Sequence, residues 1–413
     1  MEKNYFGAIE FGYLFTTCLI VSYHHNKIDV VATVITKTSG YNDNVITNKD
    51  DFKQVIMNIK NKISLKYKIN FDEVILVLPN NSHDIYQATA KSKILTERQI
   101  IGQSQIDAIR SQIKKTSVGD DRVLIDEYPV SYLLDNGRAL RSAPVNYQSS
   151  TLAIKFNLHT VLKADLLPVK ECLKECDINV IGEVLNCNCA PYVTCQTFDL
   201  EGECIHVNIL QEVTTISAYK KNALRKSIKV DFGIKDLVFY LANTLKISND
   251  EAALLFESYF ICDIDKASDI IFDENENLSE KRISGIVLNC LEDNLNVILD
   301  GVNKLANECM FTEHYILLTG LLNDYQGFDN LLSKNTPLRV KSGNVYAIGF
   351  DGQEYLNVYG AIVQFIDNNS NYVDSRLNDD NELIIGSENT TTTINGGSQT
   401  SSSNNRFHDI FEE

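Results

Sequence analysis

The cysteines and histidines are the residues of this sequence most suited to metal binding or nucleophilic chemistry. Cys172 and Cys176 lie four residues apart in a predicted helix, and Cys187, Cys189 and Cys195 follow closely. A structural zinc site typically combines a Cys-x-x-Cys pair with a second matching pair. That spacing is absent, and cysteine is also a common small buried hydrophobic residue. We therefore predict no metal site.

The seven histidines are scattered along the chain and form no recognisable catalytic set. His24 and His25 fall in a predicted hairpin turn, and His83 begins a predicted inserted module. The sequence contains no Gly-x-Ser-x-Gly elbow and no Ser/His/Asp arrangement of the kind that marks a hydrolase. We assign no catalytic residue and interpret the histidines as ordinary core or surface side chains.

Strand and helix signals occur twice in the same order. The first unit is predicted as three strands, a helix and a buried strand, over residues 6–11, 15–23, 28–35, 50–69 and 71–78. Its strands are rich in apolar, β-branched and aromatic residues, and Asp50 is the predicted N-cap of its helix. The second unit has the same order, over residues 204–210, 213–219, 224–230, 234–245 and 314–318. Two copies of one unit predict an α/β fold with two similar lobes and a cleft between them.

Composition and spacing also predict the domain organisation. Between the units lie a predicted strand over 149–155, a helix over 165–176 with Pro168 in its first turn, and a strand over 178–185. The stretch after residue 385 is rich in Ser, Thr, Asn and Gly and cannot bury enough apolar surface to fold. The expected domains are a first lobe core (1–82 and 152–198), an inserted subdomain (83–151), a second lobe core (199–233 and 312–385), its helical subdomain (234–311), a flexible linker (386–405) and a short amphipathic C-terminal segment (406–413).

Length and charge exclude several classes of protein. The chain has 413 residues, 44% of them hydrophobic, and a formal net charge of -17 from 38 basic and 55 acidic residues. This length predicts two or more domains, and the acidic balance argues against a nucleic-acid-binding protein. No apolar run approaches the roughly 20 residues of a membrane-spanning helix. The first residues lack the pattern of a secretion signal, so we expect the ten cysteines to be reduced thiols in the cytoplasm.

The order of elements resembles the actin/Hsp70/sugar-kinase superfamily, and further motifs resemble one branch, the bacterial cell-division actin FtsA. The motifs are Pro129-x-x-Tyr132-x-x-Asp135 with Ala143-Pro144, and Leu318-Thr319-Gly320 with Gly327-Phe328 and Leu338-Arg339-Val340. The polar linker that ends in a short apolar segment is a further similarity. The resemblance extends over residues 5–366 and the tail. It implies an actin-like two-lobed fold of duplicated β-β-β-α-β-α units, with an FtsA-type inserted subdomain.

The resemblance implies a site for ATP and magnesium between the lobes, but several residues of that site differ here. The family holds phosphates with glycine-rich turns, because a Cβ would block close approach. The positions that match the site are Glu10, Gly12, Tyr13, Asn208, Thr215, Gly233, Gly320 and Gly360. Phe15 falls where the family commonly has Lys, and the second turn lacks all three family glycines. Glu212 adds a negative charge there, which disfavours a triphosphate.

Two interpretations of these residues stay open. They are strand and turn residues of a packed core, or they bind ATP with altered geometry through Gly12, Gly320 and Gly360. No Gln, His or acid is placed to position an attacking water. We therefore expect a degenerate site without hydrolysis, and the cofactor stays open between ATP with magnesium and none.

A binding surface for a partner peptide is implied in the second lobe. The predicted amphipathic helix that begins at Lys281 and Arg282 corresponds to the family helix near which the C-terminal peptide of the tubulin-like GTPase FtsZ binds. The family arginine of that helix falls at Gly285, and Lys281 and Arg282 are the candidate substitutes. The alternative is a helix packed on its own sheet with a solvated basic start.

The last eight residues place Phe407, Ile410 and Phe411 on one face of a predicted helix. Burial of these side chains would contribute about 1.5–3 kcal/mol each, and the family layout favours docking to the membrane surface. The neighbouring acids oppose contact with anionic lipid, so many tails on one polymer would have to act together. The alternative is a short motif that binds a groove on a partner protein.

The predicted function is that of an FtsA-like cell-division scaffold. Such a protein would self-associate into protofilaments and link FtsZ filaments to the inner face of the cytoplasmic membrane at the division site. The alternative is an ATP-binding actin-like protein of another envelope or motility machine, such as a pilus, that does not engage FtsZ.

Overall fold

The structure of the protein is a computed structural model, and it describes residues 4–12, 15–42, 45–79, 82–96, 98–116, 118–140, 142–194, 202–220, 223–273, 277–345, 347–350, 352–370 and 372–374. In these parts of the chain, two five-stranded sheets form the centres of two lobes, and a four-stranded sheet forms an inserted unit. None of the helices described is long and apolar enough to cross a lipid bilayer.

The strands are β1 (Tyr5–Phe11), β2 (Phe15–His24), β3 (Lys27–Lys37), β4 (Tyr41–Asn42), β5 (Val45–Ile46), β6 (Glu73–Leu78), β7 (Asp84–Lys93), β8 (Arg122–Leu134), β9 (Ala139–Leu140), β10 (Thr151–Leu162), β11 (Asn179–Leu185), β12 (Glu203–Ile209), β13 (Thr214–Lys220), β14 (Ala223–Val230), β15 (His314–Gly320) and β16 (Val340–Ser342). The helices are α1 (Lys49–Lys62), α2 (Gln103–Lys114), α3 (Lys163–Glu175), α4 (Asn186–Thr194), α5 (Ile234–Leu245), α6 (Asn249–Tyr259), α7 (Glu280–Glu308), α8 (Phe328–Lys334) and α9 (Leu356–Asn368).

The two lobes contain sheets of matching topology. The first sheet has the order β11-β6-β1-β2-β3, and the second has the order β14-β13-β12-β15-β16. In the first, β1 pairs antiparallel with β2 and parallel with β6. In the second, β12 pairs antiparallel with β13 and parallel with β15. The predicted duplication and the α/β class are confirmed, because each repeat forms the same meander beside a parallel strand.

Helices cover both faces of the first sheet. Successive side chains of a strand point to opposite faces, so the apolar run of β1 contributes to two cores. Ile9 packs in the core that includes side chains of α1 and α3. Phe6 packs in the core that includes side chains of α4 and α9. The near-continuous apolar sequence of this strand is what a strand buried on both faces requires.

The start of α1 differs from the sequence prediction. Asn48, rather than Asp50, is the N-cap: its side-chain oxygen accepts hydrogen bonds from the backbone N–H of Asp50 at 3.1 Å and of Asp51 at 3.3 Å. The α-helix also ends earlier than predicted and continues as a π-helical turn over Ile63–Tyr67. In α3, Pro168 lies beyond the first turn, because that helix begins at Lys163.

The inserted unit is a four-stranded sheet of order β7-β10-β8-β9, covered by α2. Its central strand β10 pairs antiparallel with β7 and β8 along its length. We assigned residues from 152 onward to the first lobe, whereas this strand continues the inserted sheet to Leu162. The reason is that every second side chain at the start of this strand is apolar: Leu152, Ile154 and Phe156 face the core of the insert.

The last described helix returns to the first lobe. We placed residues 312–385 in the second lobe, but α9 packs on β1, β2 and β6 and crosses α4. Its close contacts depend on glycine: a Cβ at Gly182 would lie 2.6 Å from the Phe365 ring, and one at Gly360 would lie 2.1 Å from the Cys189 carbonyl oxygen. The chain thus crosses between the lobes more than once.

Candidate functional site between the two lobes

A cavity lies between the lobes, where the β1–β2 turn faces the β12–β13 turn. It has a volume of about 850 Å³, including the part open to solvent. Glu10, Gly12, Asn208, Thr215 and Gly320 line it. These predicted site residues come from the ends of β1, β12, β13 and β15, so the duplicated topology brings them together.

The other predicted residues of the nucleotide set lie elsewhere. Gly233 is the N-cap of α5 and supports the second turn from outside the cavity, since a Cβ there would lie 2.5 Å from the Gln211 carbonyl oxygen. Gly360 lies at the crossing of α9 and α4 and does not line the cavity. Tyr13 lies outside the described residues.

Glu10 is the acidic group in the wall of the cavity that the first lobe contributes. Asn357 Nδ2 donates to both of its carboxyl oxygens at 3.1 Å, and Asn186 Nδ2 donates to one of them at 3.5 Å. Removal from water raises the pKa of the Glu10 carboxyl to about 7, and the two amide hydrogen bonds oppose this shift only in part. The Glu10 carboxyl therefore titrates near neutral pH, where a charged ligand can change its ionisation.

The first turn is closed by its own backbone and by a side chain of the other lobe. The Gly12 N–H donates to the Phe15 carbonyl oxygen at 3.1 Å. The Phe15 N–H donates to Gln211 Oε1, also at 3.1 Å. Gln211 belongs to the β12–β13 turn, so a glutamine of the second repeat occupies one N–H group of the first. These donors would otherwise be available to a phosphate.

A second glutamine occupies the turn after β15. The buried Gln353 accepts a hydrogen bond from the Gly320 N–H at 3.2 Å and donates one to the Gly343 carbonyl oxygen at 3.0 Å. Gly320 has a φ of 94°, and a Cβ there would lie 2.3 Å from the Ile209 carbonyl oxygen. Sequence reasoning missed the roles of Gln211 and Gln353, because each bonds to residues distant in the chain and neither falls in a recognisable motif.

The electrostatics of the cavity do not suit a magnesium triphosphate. Its described lining residues include Glu10, Glu212 and Glu354 but no Lys, Arg or His. Like charges brought together in a partly buried cleft repel strongly unless a cation compensates. Within the described residues, no group of three or more His, Cys, Asp or Glu could hold a metal ion. The residues present therefore do not fit ATP with magnesium.

The basic residues of the predicted peptide surface lie at the start of α7. Lys281 Nζ is 3.0 Å from Asp269 Oδ2, and Arg282 donates to the Asn277 carbonyl oxygen at 3.0 Å. Just before the helix, Ile270, Ile271 and Phe272 are 78%, 48% and 41% exposed. Sequence reasoning did not single out this apolar loop, which gives the basic helix start a hydrophobic neighbour.

The remaining candidate residues divide between the core and the part of the chain that is not described. Cys172, Cys176, Cys187 and Cys189 are buried free thiols, and burial raises the pKa of Cys189 well above its usual value. Cys195 and the apolar tail residues Phe407, Ile410 and Phe411 lie outside the described residues.

Comparison with known sequences finds similarity to cell division proteins. No family model matches it. The cell division protein FtsA of Staphylococcus epidermidis strain ATCC 12228 is 20% identical over 314 residues, which cover 74% of this chain and 67% of the relative. A second Staphylococcus epidermidis FtsA, from strain ATCC 35984, matches over the same shares. The predicted resemblance to FtsA is confirmed as a distant one.

Comparison with solved structures supports the fold. A chain of the PilM–PilN type IV pilus biogenesis complex has a TM-score of 0.61 and 13% identity, covering 87% of this chain and 98% of its own. The ethanolamine utilization protein EutJ from Carboxydothermus hydrogenoformans has a TM-score of 0.52 and 11% identity, with 87% and 89% coverage. The chain has the actin-like two-lobed fold, as predicted.

Proposed function

We propose that this actin-like chain, a divergent relative of FtsA, is a cell-division scaffold that self-associates into protofilaments and links FtsZ filaments to the inner face of the cytoplasmic membrane. The observation that carries the proposal is the similarity to FtsA over 74% of the chain, together with an actin-like fold that contains an inserted sheet. The sequence motifs that resemble the FtsA insert lie in and around β8, within that sheet.

The scaffold role does not require nucleotide turnover. Gln211 accepts the Phe15 N–H at the β1–β2 turn, and Gln353 accepts the Gly320 N–H at the end of β15. The described cavity wall has no cation to meet a phosphate. Turns whose N–H groups are already hydrogen-bonded internally support a constitutive scaffold rather than a cycle driven by hydrolysis. Isothermal titration with ATP and magnesium tests this part, and tight binding with turnover would contradict it.

FtsZ peptide binding is proposed at the start of α7. Lys281 and Arg282 supply positive charge, and the apolar loop 270–272 supplies exposed hydrophobic surface beside them. A short peptide with both apolar and acidic groups would be complementary to this combination. The alternative is that α7 packs on its own sheet and its basic start is only solvated. The ion pair between Lys281 and Asp269 is consistent with this alternative.

The double variant Lys281→Ala/Arg282→Ala tests this surface. We expect FtsZ-tail affinity to fall about 5-fold to 30-fold in fluorescence polarisation, because two exposed charges of this kind contribute about 1–2 kcal/mol to binding at most. Lys304→Ala is the matched control, since Lys304 is exposed on the far part of the same helix. Equal affinities for wild type, double variant and control would exclude the surface.

Membrane attachment is proposed through Phe407, Ile410 and Phe411. The support is the sequence pattern and the FtsA layout, since these residues lie outside the described part of the chain. Removal of residues 404–413 should abolish sedimentation with vesicles. If vesicles still pellet the shortened chain, the attachment lies elsewhere; if only a protein partner is lost, the segment is a docking motif.

A second candidate function has one observation in its favour. The likeness to the pilus complex chain is consistent with an actin-like component of another envelope machine that does not engage FtsZ. Co-sedimentation of the purified chain with FtsZ filaments and vesicles, with and without ATP, separates the two. Pelleting with FtsZ in both conditions supports the division scaffold, whereas pelleting with vesicles alone supports the second candidate.

A further inference from the structure

The wall of the inter-lobe cavity contains buried polar atoms that have no hydrogen-bond partner among the described residues. They are Asn186 Oδ1, Asn208 Nδ2 and Thr215 Oγ1. Their residues are only 3%, 2% and 1% exposed, and all of them line the cavity. Buried polar groups in native proteins are nearly always paired, so a set of unpaired ones around a cavity points to a ligand.

The charge of the cavity indicates what that ligand carries. The Glu10 carboxyl lines it, and the described lining residues include no cationic side chain. The amides of Asn357 and Asn186 reach Glu10, but amides leave its negative charge uncompensated. A cationic ligand is therefore favoured, and a phosphate is disfavoured.

The shape of the wall indicates an organic cation rather than a bare metal ion. Phe11, Phe15 and Tyr41 line the cavity together with the polar groups. Aromatic faces attract organic cations, and their apolar surface packs on a carbon chain. The described residues also provide no cluster of metal-ligating side chains.

We propose that the cavity binds a primary ammonium group on a short carbon chain that also carries a hydroxyl or amide acceptor. Glu10 supplies the counter-charge, the oxygens of Asn186 and Thr215 accept hydrogen bonds from the ammonium group, and Asn208 donates one to the acceptor. Such a group belongs either to a free amine or to a lysine side chain of a partner protein. This site is independent of FtsZ and membrane binding.

Thermal unfolding and isothermal titration of the full chain test the proposal with defined probes. 4-Amino-1-butanol represents a free amine, and Nα-acetyl-lysine amide represents a peptide lysine. Either probe, when saturating, should raise Tm by about 2–4 °C. 1,4-Butanediol lacks the ammonium group and should have no effect. The amine probe that binds with the higher affinity shows whether the natural ligand is a free amine or a lysine side chain of a partner protein.

Two variants locate the binding. Glu10→Gln should weaken amine binding about 10-fold, because it removes the counter-charge and keeps the side chain's shape. Thr215→Val should weaken it about 3-fold and raise the Tm of the ligand-free protein, since it removes an unpaired buried hydroxyl. Opposite effects on stability and affinity would not arise from a merely structural role.

Thr319→Val is the matched control for the hydroxyl. Thr319 is as buried as Thr215, but its hydroxyl bonds to His206 Nε2 at 2.6 Å. This control should lower Tm and leave amine affinity unchanged. The proposal is overturned if no amine stabilises the wild type, which would mean that the cavity holds water only. It is also overturned if 1,4-butanediol or ATP with magnesium stabilises as much as the amines.

Discussion

Gln211 connects the two lobes at the point where their hairpin turns meet. Its side-chain oxygen accepts the Phe15 N–H, and a Cβ at Gly12 would lie 2.7 Å from the Phe15 carbonyl oxygen and 3.0 Å from this glutamine oxygen. Gly12 therefore leaves room for the backbone of its own turn and for the glutamine, whereas the resemblance implied that it leaves room for a phosphate. A glycine of a phosphate-binding signature can thus persist where internal groups occupy the space.

The variant Gln211→Ala tests this contact. Its loss should reduce the free energy of unfolding by about 1 kcal/mol, the usual value for one hydrogen bond. ATP affinity should stay weak, because the variant frees an N–H group but adds no cation. Urea unfolding and ATP titration measure both effects, with Gln54→Ala on the exposed face of α1 as the control. Tight ATP binding by Gln211→Ala would show that the glutamine alone blocks the site.

The Glu10 carboxyl predicts a pH dependence of stability. Its pKa is raised from the usual 4.5 to about 7 by removal from water, so the folded state disfavours the ionised form. A raised carboxyl pKa contributes stability at low pH that is lost as pH rises through the folded-state value. Relative to Glu10→Gln, the wild type should lose about 2 kcal/mol of unfolding free energy between about pH 5 and pH 8.

Urea unfolding of both proteins across this pH range measures the difference. Asp126, whose pKa burial raises to about 6, is present in both and cancels in the comparison. Parallel stability curves for wild type and Glu10→Gln would mean that Glu10 is solvated and titrates normally.

At the scale of elements, the crossing of α4 and α9 ties the C-terminal part of the described chain to the first lobe. The helices approach closely at Gly360, where a Cβ would meet the backbone of Cys189 at 2.1 Å. The backbone cannot yield as a flexible side chain does, so the crossing requires glycine. Gly360 thus packs at the helix crossing, whereas the resemblance associated this residue with nucleotide binding.

Two glycine-to-alanine changes in helices should have opposite effects on stability. Gly360→Ala should destabilise by about 2 kcal/mol or more, because it overpacks the crossing. Gly285→Ala in α7 should stabilise by about 0.5–1 kcal/mol, because the nearest atom to its Cβ is at 3.5 Å and alanine favours a helix. Urea or thermal unfolding measures both changes. A neutral Gly360→Ala would show that the helices separate at little cost.

The start of α1 shows that residue type alone does not select the N-cap of a helix. Asp50 is a good N-cap type, but Asn48 is also one and lies earlier, where the chain is still extended with a φ of -145°. Once Asn48 caps, Asp50 falls in the first turn, where its charge favours the helix dipole. The type of helix start was predictable, but the choice between two suitable residues depended on the backbone path after β5.

At the scale of the whole molecule, charge opposes the self-association that we propose. Each chain carries a formal net charge of -17, so neighbouring subunits in a filament repel one another. Screening shortens the range of that repulsion to about 8–10 Å at moderate ionic strength. Filament formation, if it buries ordinary apolar contacts, should therefore increase with added salt.

Sedimentation and light scattering from about 50 to 300 mM monovalent salt measure this dependence. We expect at least a severalfold larger pelleted fraction at the upper end, with neutral osmolyte as the control. A pelleted fraction that falls with salt would indicate that filament contacts are ion pairs between oppositely charged patches.

The sequence alone determined the repeated meander, the α/β class and the approximate positions of the strands and helices of the two repeated units, but not those of α4, α8 and α9. These follow from short-range periodicity, since a strand buried on one or both faces carries its apolar pattern wherever it packs. The resemblance to the actin-like family also implied the cleft residues on β1, β12, β13 and β15, and the structure places them around one cavity. Gly320, for example, is the glycine of the Leu318-Thr319-Gly320 motif.

Only the tertiary structure decided which side chains form hydrogen bonds at the cleft and that α9 packs on the first lobe. Gln211 reaches a turn almost 200 residues earlier, Gln353 reaches a glycine of another strand, and α9 leaves the second lobe to cover the first. Such contacts join residues far apart in the chain through single hydrogen bonds or one close helix crossing. They produce no periodic pattern, since their geometry exists only after the lobes have packed together.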